Sequence, residues 1–365
     1  MKPLAMLVPC AGGELPIRAF SMPQTQIRTC LSAAVGLAAV GAAAFAQSDP
    51  IVAEFPVPSA DRWNYPFNPT PGARWTASTF GNEPGAPLFD NRDGQMVVAF
   101  DTGPEIPSGL GAARYEILSV QLVVENAVDG TWSFDPTPDP WQSYLPLDDP
   151  QWIPDEDGGE AIELFGVGFR HGLDAASWQE STPFGVGDPL DPSVRSAFPV
   201  DFVGGVATDV SNSVREQFDP TPWAVGIVDD IAAGDPVPYG AAVAFEVDLG
   251  RSVVASYIAD GLDRGRLILA VTSLAKVVQQ GSTFPAFHCK ESPLVAAGFA
   301  NAARLEVVVR IVEANRPGDL DGDGHVSGAD LAVMLSQWGD AGSGDLDGDG
   351  AVGGADLAVL LSHWG

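Results

Sequence analysis

The feature that most constrains this chain is a duplication at its C-terminal end. The segment Gly318-Asp319-Leu320-Asp321-Gly322-Asp323-Gly324, continuing to Gly339, recurs 26 residues later as Gly344-Asp345-Leu346-Asp347-Gly348-Asp349-Gly350, continuing to Gly365. Each copy places carboxylates at loop positions 1, 3, 5 and 12, with glycine at position 6. Alternate side chains then converge as the loop winds and the glycine takes the sharp turn, which is what a hard divalent cation requires. Without a cation, four carboxylates in one small loop repel one another strongly. Ca²⁺ is the expected ion, because Mg²⁺ demands tighter octahedral geometry and gives up its waters reluctantly. In the first loop the expected ligands are Asp319, Asp321, Asp323, the main-chain oxygen of His325, Ser327 directly or through water, and Asp330. In the second they are Asp345, Asp347, Asp349, the main-chain oxygen of Ala351, and Asp356, with a water where Gly353 has no side chain.

A short helix is expected after each loop, over Ala329–Trp338 and Ala355–Trp364. Leu331, Met334, Leu335 and Trp338, and likewise Leu357, Leu360, Leu361 and Trp364, recur at i, i+3, i+4, i+7. Helices of this length are marginal alone, so the two stripes should pack on each other with both tryptophans in the core. Gly339 and Gly365 stand where C-terminal glycines stop helices. A loop–helix pair of this kind, without the helix that precedes a standard EF-hand loop, resembles the type I dockerin domain, and Asp319 to Gly365 covers essentially the whole module. The resemblance implies a calcium-dependent fold that docks onto cohesin domains of scaffold or cell-surface proteins, most often in polysaccharide-degrading systems. Gly328-Ala329 and Gly354-Ala355 replace the hydroxyl-bearing pair usual at the recognition positions, and the helices lack the usual basic dipeptide. Since both repeats carry the same Gly-Ala pair, a partner surface should be nearly two-fold symmetric.

Charge narrows the remaining options. The 365 residues include 48 Asp and Glu against 18 Lys and Arg, a formal net charge of −30, and after residue 46 the only lysines are Lys276 and Lys290. Nucleic acid and anionic membrane surfaces are excluded as partners, since both need a basic patch. At the N-terminal end an apolar stretch from Leu31 follows Arg28 and ends in the A-x-A site Ala44-Phe45-Ala46, the pattern of a cleavable signal peptide over residues 1–46. Residues before Met22 carry Pro3, Pro9, Pro16 and Glu14, which makes Met22 an alternative start. The stretch is too short and too rich in Ala and Gly to span a bilayer, so an exported chain without a membrane span is expected. Cleavage leaves Cys289 as the single cysteine, read as a small buried hydrophobe with no disulfide partner.

The body, residues 47–314, is rich in Gly, Pro and short β-branched runs: Gln95–Phe100, Ile117–Val124, Ile162–Phe169, Ala242–Val247, Arg266–Val271 and Arg304–Arg310. Several alternate apolar with polar, which predicts sheets with one buried face. A mainly β, jelly-roll-like β-sandwich follows, with a helix over Ser252–Leu262 capping one open end, a linker at 315–318 and the small all-α dockerin-like module at 319–365. The order from Val97-Val98-Ala99-Phe100-Asp101 to Phe287-His288-Cys289-Lys290-Glu291 and a final strand resembles secreted carbohydrate-binding modules, which implies a polysaccharide ligand for the body. Asp129–Glu160 and Phe184–Ala224 read as long insertions. In the first, Trp132, Phe134, Trp141, Tyr144 and Trp152 are interleaved with Asp135, Asp139, Asp148, Asp149, Asp155, Glu156 and Asp157. Such mixtures make sugar platforms and cation sites, although aromatics that pin a Pro-rich loop to the sheet are the simpler reading. No G-x-S-x-G or H-E-x-x-H is present, His171 and His288 read as ordinary histidines, and neither Glu160 with Glu163 nor Asp229 with Asp230 stands out as a catalytic pair. The expectation is a non-catalytic exported protein; a dockerin-bearing glycoside hydrolase is the alternative.

Overall fold

The computed structural model describes residues 49–82, 85, 89–188, 191, 194–276, 284–312, 316–321 and 326–365. The expected leader at 1–46, and Asp323 and His325 of the first loop, lie outside the described residues. The strands are β1 (Ile51–Phe55), β2 (Ala60–Asn64), β3 (Thr76–Ser78), β4 (Gln95–Asp101), β5 (Tyr115–Glu125), β6 (Phe134–Asp135), β7 (Glu160–Phe169), β8 (Ala197–Val203), β9 (Val206–Asp209), β10 (Ala224–Val225), β11 (Ala242–Glu246), β12 (Arg266–Ser273), β13 (Ala286–His288) and β14 (Arg304–Ile311). The helices are α1 (Ser213–Glu216), α2 (Ser252–Asp263), α3 (Pro293–Ala296), α4 (Gly328–Ser336) and α5 (Gly354–Ser362). The chain is thus mainly β with few helices, and each expected strand and the expected body helix is present.

One sheet runs β1-β14-β5-β11 and a larger one β2-β4-β12-β7-β8-β9, with β6 and β10 also paired to β7; β3 and β13 form a separate pair. Pairing is antiparallel except between β6 and β7. The smaller sheet alternates: Val120, Leu122 and Val124 of β5 and Leu305, Val307 and Val309 of β14 point inward. They share one core with Met96, Val98 and Phe100 of β4 and Leu267, Leu269 and Val271 of β12. Val254, Ile258 and Leu262 place the apolar face of α2 in the same core. Each such side chain contributes roughly 1.5–3 kcal/mol on burial, so this core dominates the body's stability.

Two sequence expectations change. The larger sheet is buried on both faces: Ala60, Val97, Ala99, Val167, Ile268 and Ala270 pack outward against Trp178. The unbroken apolar runs Met96–Phe100 and Leu267–Val271 are the signature of strands covered twice. Phe184–Ala224 is not simply an insertion, because β8 and β9 within it continue the larger sheet beyond β7. Gly166 on β7 is required by close approach, since a Cβ there would lie 2.1 Å from the Trp223 ring.

The turn before β4 is fastened by buried ion pairs. Arg92 donates to Glu163 on β7 from Nε (2.7 Å) and Nη2 (3.0 Å), and from Nη1 to the Val210 carbonyl and Ser213 Oγ. Arg195 donates to Asp90 Oδ2 at 2.6 Å and lies 3.6 Å from Asp93. One guanidinium thus faces two buried carboxylates and is closer to Asp90. Burial pushes Asp93 up to about 7, with Arg195 opposing and Asp90 adding to the rise. An unfolded Asp titrates near 3.9, so between about pH 4 and 7 the folded chain holds the extra proton and this contribution to stability is lost as pH rises. Urea unfolding of Asp93→Asn across that window should show a shallower decline with pH than the parent chain; an unchanged slope would contradict this assignment.

Candidate metal centre in the C-terminal repeat

Where both are described, the two loops are built alike. Ser327 caps α4, its Oγ accepting from the Ala329 N–H at 3.2 Å, and Asp330 Oδ2 accepts from the Ser327 N–H at 2.7 Å. Asp330 Oδ1 accepts from the Leu320 and Asp321 N–H groups at 2.7 and 3.0 Å. In the second copy Asp356 Oδ2 accepts from the Gly353 N–H at 2.6 Å, and Oδ1 accepts from Leu346 and Asp347 at 2.7 and 3.0 Å. The position-12 aspartate therefore ties the start of each helix to the start of its loop. Burial pushes Asp330 up, but the N–H groups of Asp321, Ser327 and Leu320 outweigh it and hold the carboxyl below the usual Asp value. The N–H groups of Gly353 and Asp347 hold Asp356 down likewise. Both are poised as anions.

Around each of these buried carboxylates the loop gathers two more. Asp319, Asp321 and Asp330 each bring one oxygen within 4.8 Å of the others, as do Asp345, Asp347 and Asp356. An all-carboxylate donor set at that separation suits a hard cation bound at 2.3–2.6 Å. Asp349 is not in the second group: its Oδ1 accepts from the Ala351 N–H at 3.0 Å, and its own N–H donates to Asp345 and Asp347. Gly350 at position 6 has φ +99°, the sharp turn that its place in the loop predicted.

The core of this module differs from the expected one. Val326, Met334, Val352 and Leu360 are buried together, with Leu320, Leu346 and Leu357 packed against them. Trp338 and Trp364 are 47% and 48% exposed, and Leu335 and Leu361 are exposed beside them. The helices end at Ser336 and Ser362, before the tryptophans, and apolar loop residues occupy the space between them. The missed signal was the apolar pair in each polar loop, Leu320 with Val326 and Leu346 with Val352, repeated in both copies.

In the body, Trp132, Phe134, Trp141 and Tyr144 are buried and Trp152 packs beside Trp141 and Tyr144, so these rings pin the loop to the sheet. Among the acidic residues there, burial pushes Asp139 up to about 8, against the hydrogen bond from Tyr144 Oη and with Asp155 adding repulsion. An exposed ring lies elsewhere: Trp75, 63% exposed, flanks a groove of about 440 Å³ lined also by Trp63, Thr70, Arg74, Thr76 and Ser78. Of the carboxylates weighed for catalysis, Glu163 is bound by Arg92, and Asp229 and Asp230 sit in an exposed turn. His171 adopts a left-handed conformation just after β7, its Nε2 3.0 Å from the Val194 carbonyl oxygen. Cys289 is buried, and burial holds its thiol well above the ordinary value. Among the described residues no helix is long and apolar enough to cross a membrane.

The chain matches no protein-family model, and no curated protein matches it. Tighter cation binding by the first loop is the expectation, because Ser327 offers an oxygen where Gly353 has none and affinity follows ligand number. Calorimetry with Ca²⁺ should give tighter binding for the Asp356→Ala chain, which keeps the first loop, than for Asp330→Ala; equal or reversed affinities contradict the ranking.

Proposed function

We propose that residues 319–365 form a dockerin-like module that binds two Ca²⁺ ions and attaches an exported, non-catalytic body to a cohesin-type or cell-surface partner, in a polysaccharide-related setting. The observation that carries this reading is the equivalence of the two loops: three carboxylates converge in each, on matching backbone hydrogen bonds. The exposed pairs Leu335/Trp338 and Leu361/Trp364 support it, since they put matching apolar patches at the C-terminal ends of two equivalent helices, as a docking face of two-fold character would. The ligands would be the carboxylates of each loop, completed by main-chain oxygens and water. Bound calcium would offset about half of each loop's carboxylate charge and hold each helix start in place.

The body is read as a jelly-roll-like β-sandwich of the carbohydrate-binding kind, on the strength of its two antiparallel sheets around one core. In that role the groove beside Trp75 is the face for a polysaccharide, because it joins an exposed ring to the hydroxyls of Thr70, Thr76 and Ser78. The docking half is tested by capture of the whole chain on a panel of immobilised cohesin modules, with Ca²⁺ or with chelator. Capture is expected only with Ca²⁺. Replacing Leu335 and Trp338, or Leu361 and Trp364, with Ala should be tolerated, whereas all four together should weaken binding at least about 30-fold, the weight of an interface aromatic worth 2 kcal/mol. Capture in chelator, or full capture by the fourfold variant, overturns the reading.

A further inference from the structure

Among the described residues of the body two groups of acids converge, and only one of them gathers around a cationic side chain. Asp61, Glu180 and Glu291 gather around Lys290, whose Nζ lies 2.6 Å from Glu180 and 3.4 Å from Asp61 and also contacts Glu291. Asp135, Asp139, Asp155 and Asp157 likewise bring one oxygen each within 4.8 Å of one another. Among the described residues no lysine or arginine pairs with any of these four.

The group sits where the long aromatic-acidic loop begins and ends. Asp135 closes β6, which pairs in parallel with the start of β7 at Glu160 and Ala161, while Asp155 and Asp157 lie on the arm returning to β7. The two arms meet closely at Gly159, with φ +136°, where a Cβ would stand 2.4 Å from the Phe134 carbonyl oxygen. Thr137 links them, its Oγ1 lying 3.1 Å from both Asp135 Oδ1 and Asp157 Oδ2. Asp135 is only 1% exposed, and although its Oδ1 accepts from Thr137, its Oδ2 is buried with no hydrogen-bond partner. Beside it, Glu160 Oε2 is also buried without a partner. A buried carboxylate oxygen lacking a donor is costly, and a cation relieves that cost.

We propose that Asp135, Asp139, Asp155 and Asp157 bind a hard divalent cation of the Ca²⁺ class, a centre separate from the C-terminal repeat that clamps the two roots of the 136–158 loop. The donors are all carboxylate oxygens, which selects against Zn²⁺ and copper, and their spread allows the longer bonds of Ca²⁺ rather than the tight octahedron of Mg²⁺.

The test is equilibrium dialysis of the full chain against radioactive Ca²⁺ with the C-terminal loops disabled by Asp321→Asn, Asp330→Asn, Asp347→Asn and Asp356→Asn. About one ion per chain should remain bound at millimolar free Ca²⁺, the weak end of the range for protein calcium sites. No retained ion overturns the proposal whatever the C-terminal loops do. Adding Asp135→Asn and Asp157→Asn should lower affinity at least about tenfold. Retention unchanged by that addition also overturns it, because the ion would then lie elsewhere. Should the double change impair folding, Asp157→Asn alone keeps an acceptor for Thr137 and is expected to weaken binding in the same direction; unchanged affinity in that folded variant counts against the site.

Discussion

Repulsion between carboxylates brought close together is the constraint on which this structure depends. With 48 Asp and Glu against 18 Lys and Arg, most acids of the chain have no cationic side chain to meet them. Three solutions coexist. In the body, Glu163 and Asp90 are met by buried guanidinium groups, and Asp61 is met by Lys290. In the repeat, Asp330 and Asp356 are met by backbone N–H groups that hold them as anions. Around Asp135, and around the loop aspartates of the repeat, the carboxylates face one another. In both places a divalent cation is the proposed source of opposing charge.

The same economy explains how the body holds its long connections. A sheet covered on both faces needs chain to cover the second one, and Trp178 with its neighbours provides that cover over β4, β7 and β12. The turn before β4 is then fixed by Arg92 and Arg195, whose donors reach β7, the end of β2 and the segment entering α1. Removing one partner of such a buried pair typically costs about 3–5 kcal/mol, far more than an exposed pair contributes. Aromatic burial does the equivalent work for the 136–158 loop, where Trp141 and Tyr144 face inward and leave the acids at the loop's roots.

Much of this was legible in the sequence, for physical reasons that differ by element. The apolar runs in β5, β7, β12 and β14 and the helical period of Ser252–Asp263 announced themselves, because local pattern and tertiary burial agree there. β2 and β8 did not: Ala60-Asp61-Arg62-Trp63-Asn64 carries charges whose partners, Lys290 and the segment near Glu180, are far away in sequence. Of the loop carboxylates expected to gather, six come together in two groups of three, while Asp349 accepts from the Ala351 N–H and stays outside its group. The tryptophans of the repeat misled, since i, i+3, i+4, i+7 periodicity reports a continuous helix and these helices stop short of the last position.

Cation-dependent folding of the repeat is the claim on which its proposed role depends. Far-ultraviolet circular dichroism of residues 319–365 in chelator and then in excess Ca²⁺ tests it. Loss of the helical signal without the ion and its return with it are expected, since binding to the folded form alone contributes about 2.7 kcal/mol at a free concentration 100 times Kd, comparable to the whole stability of so small a unit. A helical spectrum unchanged by chelator would contradict the account.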